Sequence, residues 1–159
     1  MWHLDVNLAK TNILHVRPVG TEQSKYIFLF NKRPVYYCEH YKYLGVKLSC
    51  HLNIDFATES HVESAGRALS AIVCKMIKAG GFPYKIYTRL VPACVNSIVE
   101  YGSEVLGYSE NDEQNKLLCR AARAFLGVPK NAPLPGIIAE IGWLLPHYNK
   151  RLNMIRYFD

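Results

Sequence analysis

Three cations at helical spacing carry the clearest chemistry in this sequence. Lys116, Arg120 and Arg123 follow one another at intervals of four and three residues, so a helix turning about 100° per residue gathers them on one side. Such a ridge neutralises phosphates; the plain alternative is a solvated face opposite a core stripe. A second basic stretch is "EHYKYLGVKLS", Glu39 to Ser49. Lys42 and Lys47 flank Gly45 there, among Tyr41, Tyr43, Leu44, Val46 and Leu48, which favour extended structure. A glycine inside a strand packs nothing and weakens it. On residue types alone, Tyr41 to Leu48 reads as one strand with a bulge at Gly45.

Other chemistries fail on spacing. "NLAKT", Asn7 to Thr11, ends like a phosphate-binding loop, but Leu4 and Ala9 stand where its glycines are needed. Cys38, His40, Cys50 and His51 lack the knuckle spacing of a zinc site, and buried thiols with solvated imidazoles are expected instead. "YGSEV" places Ser103 beside Gly102 but without the Gly-x-Ser-x-Gly pattern of a nucleophile elbow. Two closely spaced aspartates, which would hold paired magnesium ions, occur nowhere.

The elements that would position these residues change character along the chain. The first third has strand signals: Asn12–Arg17, Lys25–Phe30, Pro34–Cys38 and Tyr41–Leu48, with a turn at Asn31–Pro34. Short connections argue for antiparallel hairpins. From Ile54 to Ala79 the period becomes helical, with Val62, Ala65, Leu69, Ile72, Val73 and Met76 on a stripe that Gly80 and Gly81 end. Pro83 opens a second helix and Pro92 interrupts it. Gly102 and Gly107 bracket a bend. A third helix spans Ser109 to Phe125, capped by Ser109 or Asn111, with Leu117, Leu118, Ala121, Ala122 and Phe125 inward. A helical pair, Leu134 to Ile141 and Pro146 to Phe158, follows. The fold class is therefore α+β: a small antiparallel β-sheet in residues 1–50 packed on a helical bundle in residues 51–159. The β layer is too small to stand alone and needs the first helix to cover its apolar face.

The totals suit such a domain. The chain has 159 residues, half of them hydrophobic, with 19 Lys+Arg against 13 Asp+Glu. The excess sits at the two ends: seven basic against three acidic groups in residues 1–50, five against six in 51–110, and seven against four in 111–159. That permits a nucleic-acid partner without requiring one. Five widely spaced cysteines with no apolar leader before them are expected to be reduced thiols of an intracellular protein. No apolar run approaches the roughly 18 residues of a membrane span. The opening "MWHLDVNLAK" reads like the middle of a domain.

Taken in order, five segments resemble the reverse transcriptases of non-LTR (LINE-like) retrotransposons. "WHLDVNLAKTNILHV" is similar to the end of the palm. "EHYKYLGVKLSCHLNI" is similar to the strand and turn that follow. "EYGSEVLGY", "AFLGVPKNAP" and "AEIGW" are similar to the downstream helices. "YKYLGV" and "YGSEV" are the most specific; Ser97 and Leu106 stand where the family commonly has Pro and Trp.

The resemblance implies that "YKYLGV" is a primer-grip hairpin. Gly45 would let a phosphate or sugar approach, Lys42 and Lys47 would contact phosphates, and Tyr41 or Tyr43 would lie against sugar or base. It also implies that Lys10, with Asn7, lies near the incoming nucleotide, and that the helices after Asn53 form a thumb. The partner implied is an RNA or DNA template–primer, with neither a membrane nor a small-molecule substrate. The family's magnesium ions bind a Tyr-x-Asp-Asp motif in the palm, and no such motif occurs in these residues. The expected function is a non-catalytic piece of an RNA-directed DNA polymerase that needs no cofactor and retains weak, sequence-independent nucleic-acid binding. The alternative is a structural or interaction protein without nucleic-acid activity.

Overall fold

The computed structural model describes residues 6–106 and 111–158. The fold is α+β, with short strands in the first 50 residues and helices after them. The chain divides into two compact units, residues 1–57 and 58–159, where the sequence suggested a division after residue 50. Asp5, Gly107 and Ser109 lie outside the described residues.

In the first unit the strands form three separate two-stranded ribbons rather than one sheet. A 3-10 turn at Leu8–Lys10, capped by the Asn7 side chain on the Ala9 N–H, precedes β1 (Ile13–Leu14). Next come β2 (Phe28–Phe30), β3 (Arg33–Val35), β4 (Tyr37–Cys38), β5 (His40–Tyr43) and β6 (Val46–Ser49). The pairs β2–β3 and β5–β6 are antiparallel hairpins. The pair β1–β4 is parallel, Ile13 opposite Tyr37, against the expectation of hairpins throughout.

Two corrections follow from backbone geometry. Asn31 and Lys32 alone make the first turn, with φ of 49° and 62°, the type I′ conformation that matches strand twist. Arg33 and Pro34 belong to β3, with Pro34 opposite Leu29; a two-stranded ribbon gives proline an edge where its missing N–H costs nothing. The run expected as one strand from Tyr41 to Leu48 is itself a hairpin. Leu44 and Gly45 form its turn at φ 45° and 92°, and Tyr41 faces Leu48. Gly45 is thus neither a bulge nor a strand interior: it supplies a positive φ that a Cβ resists. The unit closes on buried Ser49 and Cys50, the latter held by its N–H to the Glu39 carbonyl (2.8 Å) and its carbonyl to the Arg17 N–H (2.9 Å).

Helix α1 runs Ile54–Lys78, and Asn53 caps it through the Asp55 N–H (2.9 Å). Then come α2 (Tyr84–Val91), a π-helical turn (Pro92–Asn96), α3 (Ser97–Val99), α4 (Ser103–Leu106), α5 (Asp112–Leu126), α6 (Leu134–Ile141) and α7 (Pro146–Phe158). Pro92 interrupts its helix as expected, and the backbone answers by widening: the Ser97 N–H bonds the Pro92 carbonyl five residues back. Asn111 is the α5 cap, accepting from the Glu113 and Gln114 N–H groups. Gly127, at φ 66°, ends α5.

The helical core draws Ala65, Leu69, Ile72 and Met76 from α1, Leu117, Ala121 and Ala122 from α5, and Ile137 and Ile141 from α6. Val62 and Val73 of the expected stripe are only half-buried. Tyr87 is the post at the centre. It is fully buried, stacks on Phe125 (centroids 4.6 Å, planes 17° apart) and donates its hydroxyl to the Ala121 carbonyl (2.8 Å). Burial pushes its pKa up to about 12.

Candidate nucleic-acid interface

In the second unit, α5 brings the three predicted cations together. Its inward side is fixed by Leu117, Leu118, Ala121 and Ala122, which leaves Lys116 and Arg120 exposed and Arg123 half-buried. They line one shallow concavity of roughly 650 Å³ with Ala124, Val128 and Lys130. Among its described lining residues there is no carboxylate, though Glu113 pairs with one of them, Lys116. Lys130 escaped the periodicity argument because it sits past the helix end, in the loop after Gly127 and Pro129. Its place is set by Arg123, whose Nη2 donates to the Ala132 carbonyl (3.3 Å) and so ties that loop back to α5.

The cations are partly engaged already. Lys116 Nζ lies 2.6 Å from a Glu113 carboxylate oxygen, a surface pair that raises the lysine pKa first through that hydrogen bond. Lys116 therefore stays protonated, but an anion would compete with Glu113 for it. Arg120 Nη2 reaches the Gly66 carbonyl of α1 (3.3 Å). A guanidinium has five N–H donors, so one carbonyl does not exhaust it. Arg123 Nε is buried with no hydrogen-bond partner among the described residues. The face is thus neither freely solvated, as the plain reading held, nor sealed by its own helices.

The first unit holds the other candidates. Lys42 and Lys47 are direct cross-strand partners on the β5–β6 hairpin, so both ammonium groups leave the same face. Like charges in that position repel. The repulsion is eased on one side, where Lys47 Nζ lies 5.7 Å from the centre of the Phe56 ring. Tyr41 and Tyr43, one residue out of phase with the lysines, lie on the opposite face. Tyr41 donates its hydroxyl to the Lys10 carbonyl (3.3 Å), so it ties the 3-10 turn to the hairpin. Tyr43 is exposed. Lys10 is exposed at the end of its turn.

No family model, curated protein or solved structure matches the chain. Identification therefore rests on residues and geometry. Among the described residues no three His, Cys, Asp or Glu side chains converge as a metal site would require. His51 Nδ1 is bound to the Arg17 carbonyl (2.8 Å), and His40 lies against Phe56 (4.5 Å). Ser103 is buried and accepts from the Asn153 amide (3.2 Å). No described helix is long and apolar enough to cross a membrane.

One charged cluster was not legible beforehand. Lys150 of α7 is 2% exposed, and the charge that acts on it is Glu100. Burial lowers the Lys150 pKa, which Glu100 opposes. Burial raises the Glu100 pKa, which hydrogen bonds from Asn149 and Asn153 and the Lys150 charge oppose. The Asn149 amide donates to Glu100 at 3.0 Å. The cluster joins α7 to the turn before α4 and is structural.

Proposed function

We propose that the chain is a non-polymerising, thumb-like piece of a retrotransposon reverse transcriptase that holds a nucleic-acid duplex by its phosphate backbone. The observation that carries this reading is the convergence of Lys116, Arg120, Arg123 and Lys130 on one concavity, with no carboxylate among its described lining residues. Phosphate contacts of this kind position a duplex without reading its sequence. The paired lysines of the β5–β6 hairpin are a second phosphate-binding face on the other unit. The glycine between them is explained by its turn alone, so close approach of a primer is an addition to that role. Nothing in these residues supplies the aspartates that hold polymerase magnesium ions, and primer extension with magnesium is expected to give no incorporation.

The test is a duplex titration across salt concentrations. A face neutralising about four phosphates gives a slope of log K against log salt near about −3.6, at about 0.9 per phosphate. Changing Lys116, Arg120 and Arg123 to Glu should abolish binding. Lys116→Gln with Lys130→Gln, which touches only exposed side chains, should make the slope shallower by about 1.8. Unchanged binding in both variants, or none by the wild type at low salt, rejects the reading.

An interaction protein is the second reading, and one surface favours it. Tyr148, Leu152 and Ile155 make an exposed apolar stripe along α7, with Leu144 of the preceding loop and Arg151 beside it. A chain that ignores duplexes at low salt would have its function there instead.

A further inference from the structure

Helix α7 is turned inside out. Its inward side carries Lys150, 2% exposed, with the Asn149 amide bonded to Glu100 (3.0 Å) and the Asn153 amide to Ser103 (3.2 Å). Its outward side carries Tyr148, Leu152 and Ile155, at 51%, 42% and 58% exposure. A helix packed only on its own core shows the reverse pattern, apolar within and polar without. The outward stripe, with Leu144 and Arg151, lines a shallow groove of roughly 330 Å³.

Spacing and charge say what fits that groove. Tyr148, Leu152 and Ile155 follow one another at four and three residues, the d, a and d positions of a heptad. At about 100° per residue they span only about 60° of the helix circumference. In the same register Arg151 is g and Arg156 is e. Both are exposed, and they stand about 40° outside the two edges of the stripe. Between Pro146 and Phe158 the helix carries no carboxylate. A seam this narrow is the contact of one helix on another, whereas a helix sunk in a lipid surface needs a broader apolar face. A second copy of α7 would set arginine against arginine in either orientation, because e and g positions meet across a seam. We infer that the outward face of α7 docks an amphipathic helix of another protein. The partner's apolar seam fills the groove, and Asp or Glu side chains flanking that seam pair with Arg151 and Arg156. The groove shares no lining residue with the α5 concavity, so the inference stands whether or not α5 holds duplexes.

The probe is a labelled three-heptad peptide with Leu at a and d and Glu at e and g, whose like charges keep it from pairing with itself. A twin with Lys at e and g is the control for charge. Fluorescence anisotropy with the full chain should show the Glu peptide bound about fivefold or more tighter than the Lys twin, since two flanking pairs change sign between them. Leu152→Ala should weaken the Glu peptide about fivefold or more, the worth of burying the rest of that side chain. Arg151→Glu with Arg156→Glu should invert the preference between the twins, and Arg156→Glu alone should narrow it. Lys116→Gln with Lys130→Gln should change neither, which separates this groove from the α5 concavity. All the substituted side chains are exposed, and circular dichroism checks that each variant keeps its fold. The inference is overturned if the wild type does not bind the Glu peptide, if it binds the twins equally, if Leu152→Ala binds like wild type, or if the arginine reversal leaves the preference unchanged. It is equally overturned if Leu152→Ala instead releases the chain from phosphatidylserine vesicles, or dissociates a dimer seen by sedimentation, because a lipid surface or a second copy then covers the stripe.

Discussion

The Lys150–Glu100 pair makes the sharpest prediction about how this fold is held. Lys150 is 2% exposed and Glu100 half-buried; Glu100 supplies the charge that favours protonated Lys150, while Glu100 itself is held first by Asn149 and Asn153 and then by the Lys150 charge. Removing one partner of a buried pair costs about 3–5 kcal/mol, because it strands a charge away from water. Glu100→Gln removes the charge that favours protonated Lys150 and should cost about 1–2 kcal/mol at pH 7, below the range for a pair in contact because the two groups are not within salt-bridge distance. The pH dependence has a definite sign. A buried lysine with a lowered pKa binds fewer protons folded than unfolded, so the variant should recover stability as pH rises toward the ordinary lysine range. Lys150→Met leaves Glu100 with its Asn149 bond, should cost less, and should show the opposite trend, gaining stability as pH falls. The double variant replaces both charges and should return to wild-type stability or exceed it by about 1–4 kcal/mol. Urea denaturation at matched pH measures all four proteins, and the double-mutant cycle gives the coupling. Additive single-variant costs, with coupling under about 0.5 kcal/mol, would refute the pairing.

Two further outcomes follow from single residues. Tyr87→Phe removes the hydroxyl bond to Ala121 and should cost about 1 kcal/mol, read from the denaturation midpoint. In the wild type, the raised Tyr87 pKa stabilises the fold fully below about pH 10 and is lost as pH rises toward about 12, so Tyr87→Phe should flatten that alkaline limb. Gly45→Ala places a Cβ at φ 92° and should cost about 1–2 kcal/mol locally. Hydrogen exchange would show it as faster exchange of β5–β6 amides, with α5 unaffected.

Much of the helical half was legible because its signals are local. Gly127 stands after the last apolar residue of α5, so that end could be read without knowing what α5 packs on, whereas the residues offered Ser109 or Asn111 as its cap and the structure has Asn111. The same held for α6 and α7, whose residue ranges agree with the reading from sequence. Pro92 announced an interruption, though not that the backbone would widen into a π turn rather than bend. The strands were harder. A residue between two extended runs can sit in a bulge or a turn, and only pairing decides; Gly45 lies in a turn because Tyr41 found Leu48. Likewise Tyr36 separates β3 from β4 because the two pair with different partners.

Sequence alone determined the α+β order, the spacing that places Lys116, Arg120 and Arg123 on one side of a helix, and the lack of an aspartate pair for metal. Those properties depend on neighbours within a few turns. Tertiary structure decided that Lys130 joins that ridge, that Lys42 stands opposite Lys47, that Tyr87 is the central post and that Lys150 is buried where the Glu100 charge acts on it. Each of these joins residues on different elements, and their distance is set by packing and strand register, which no local period encodes.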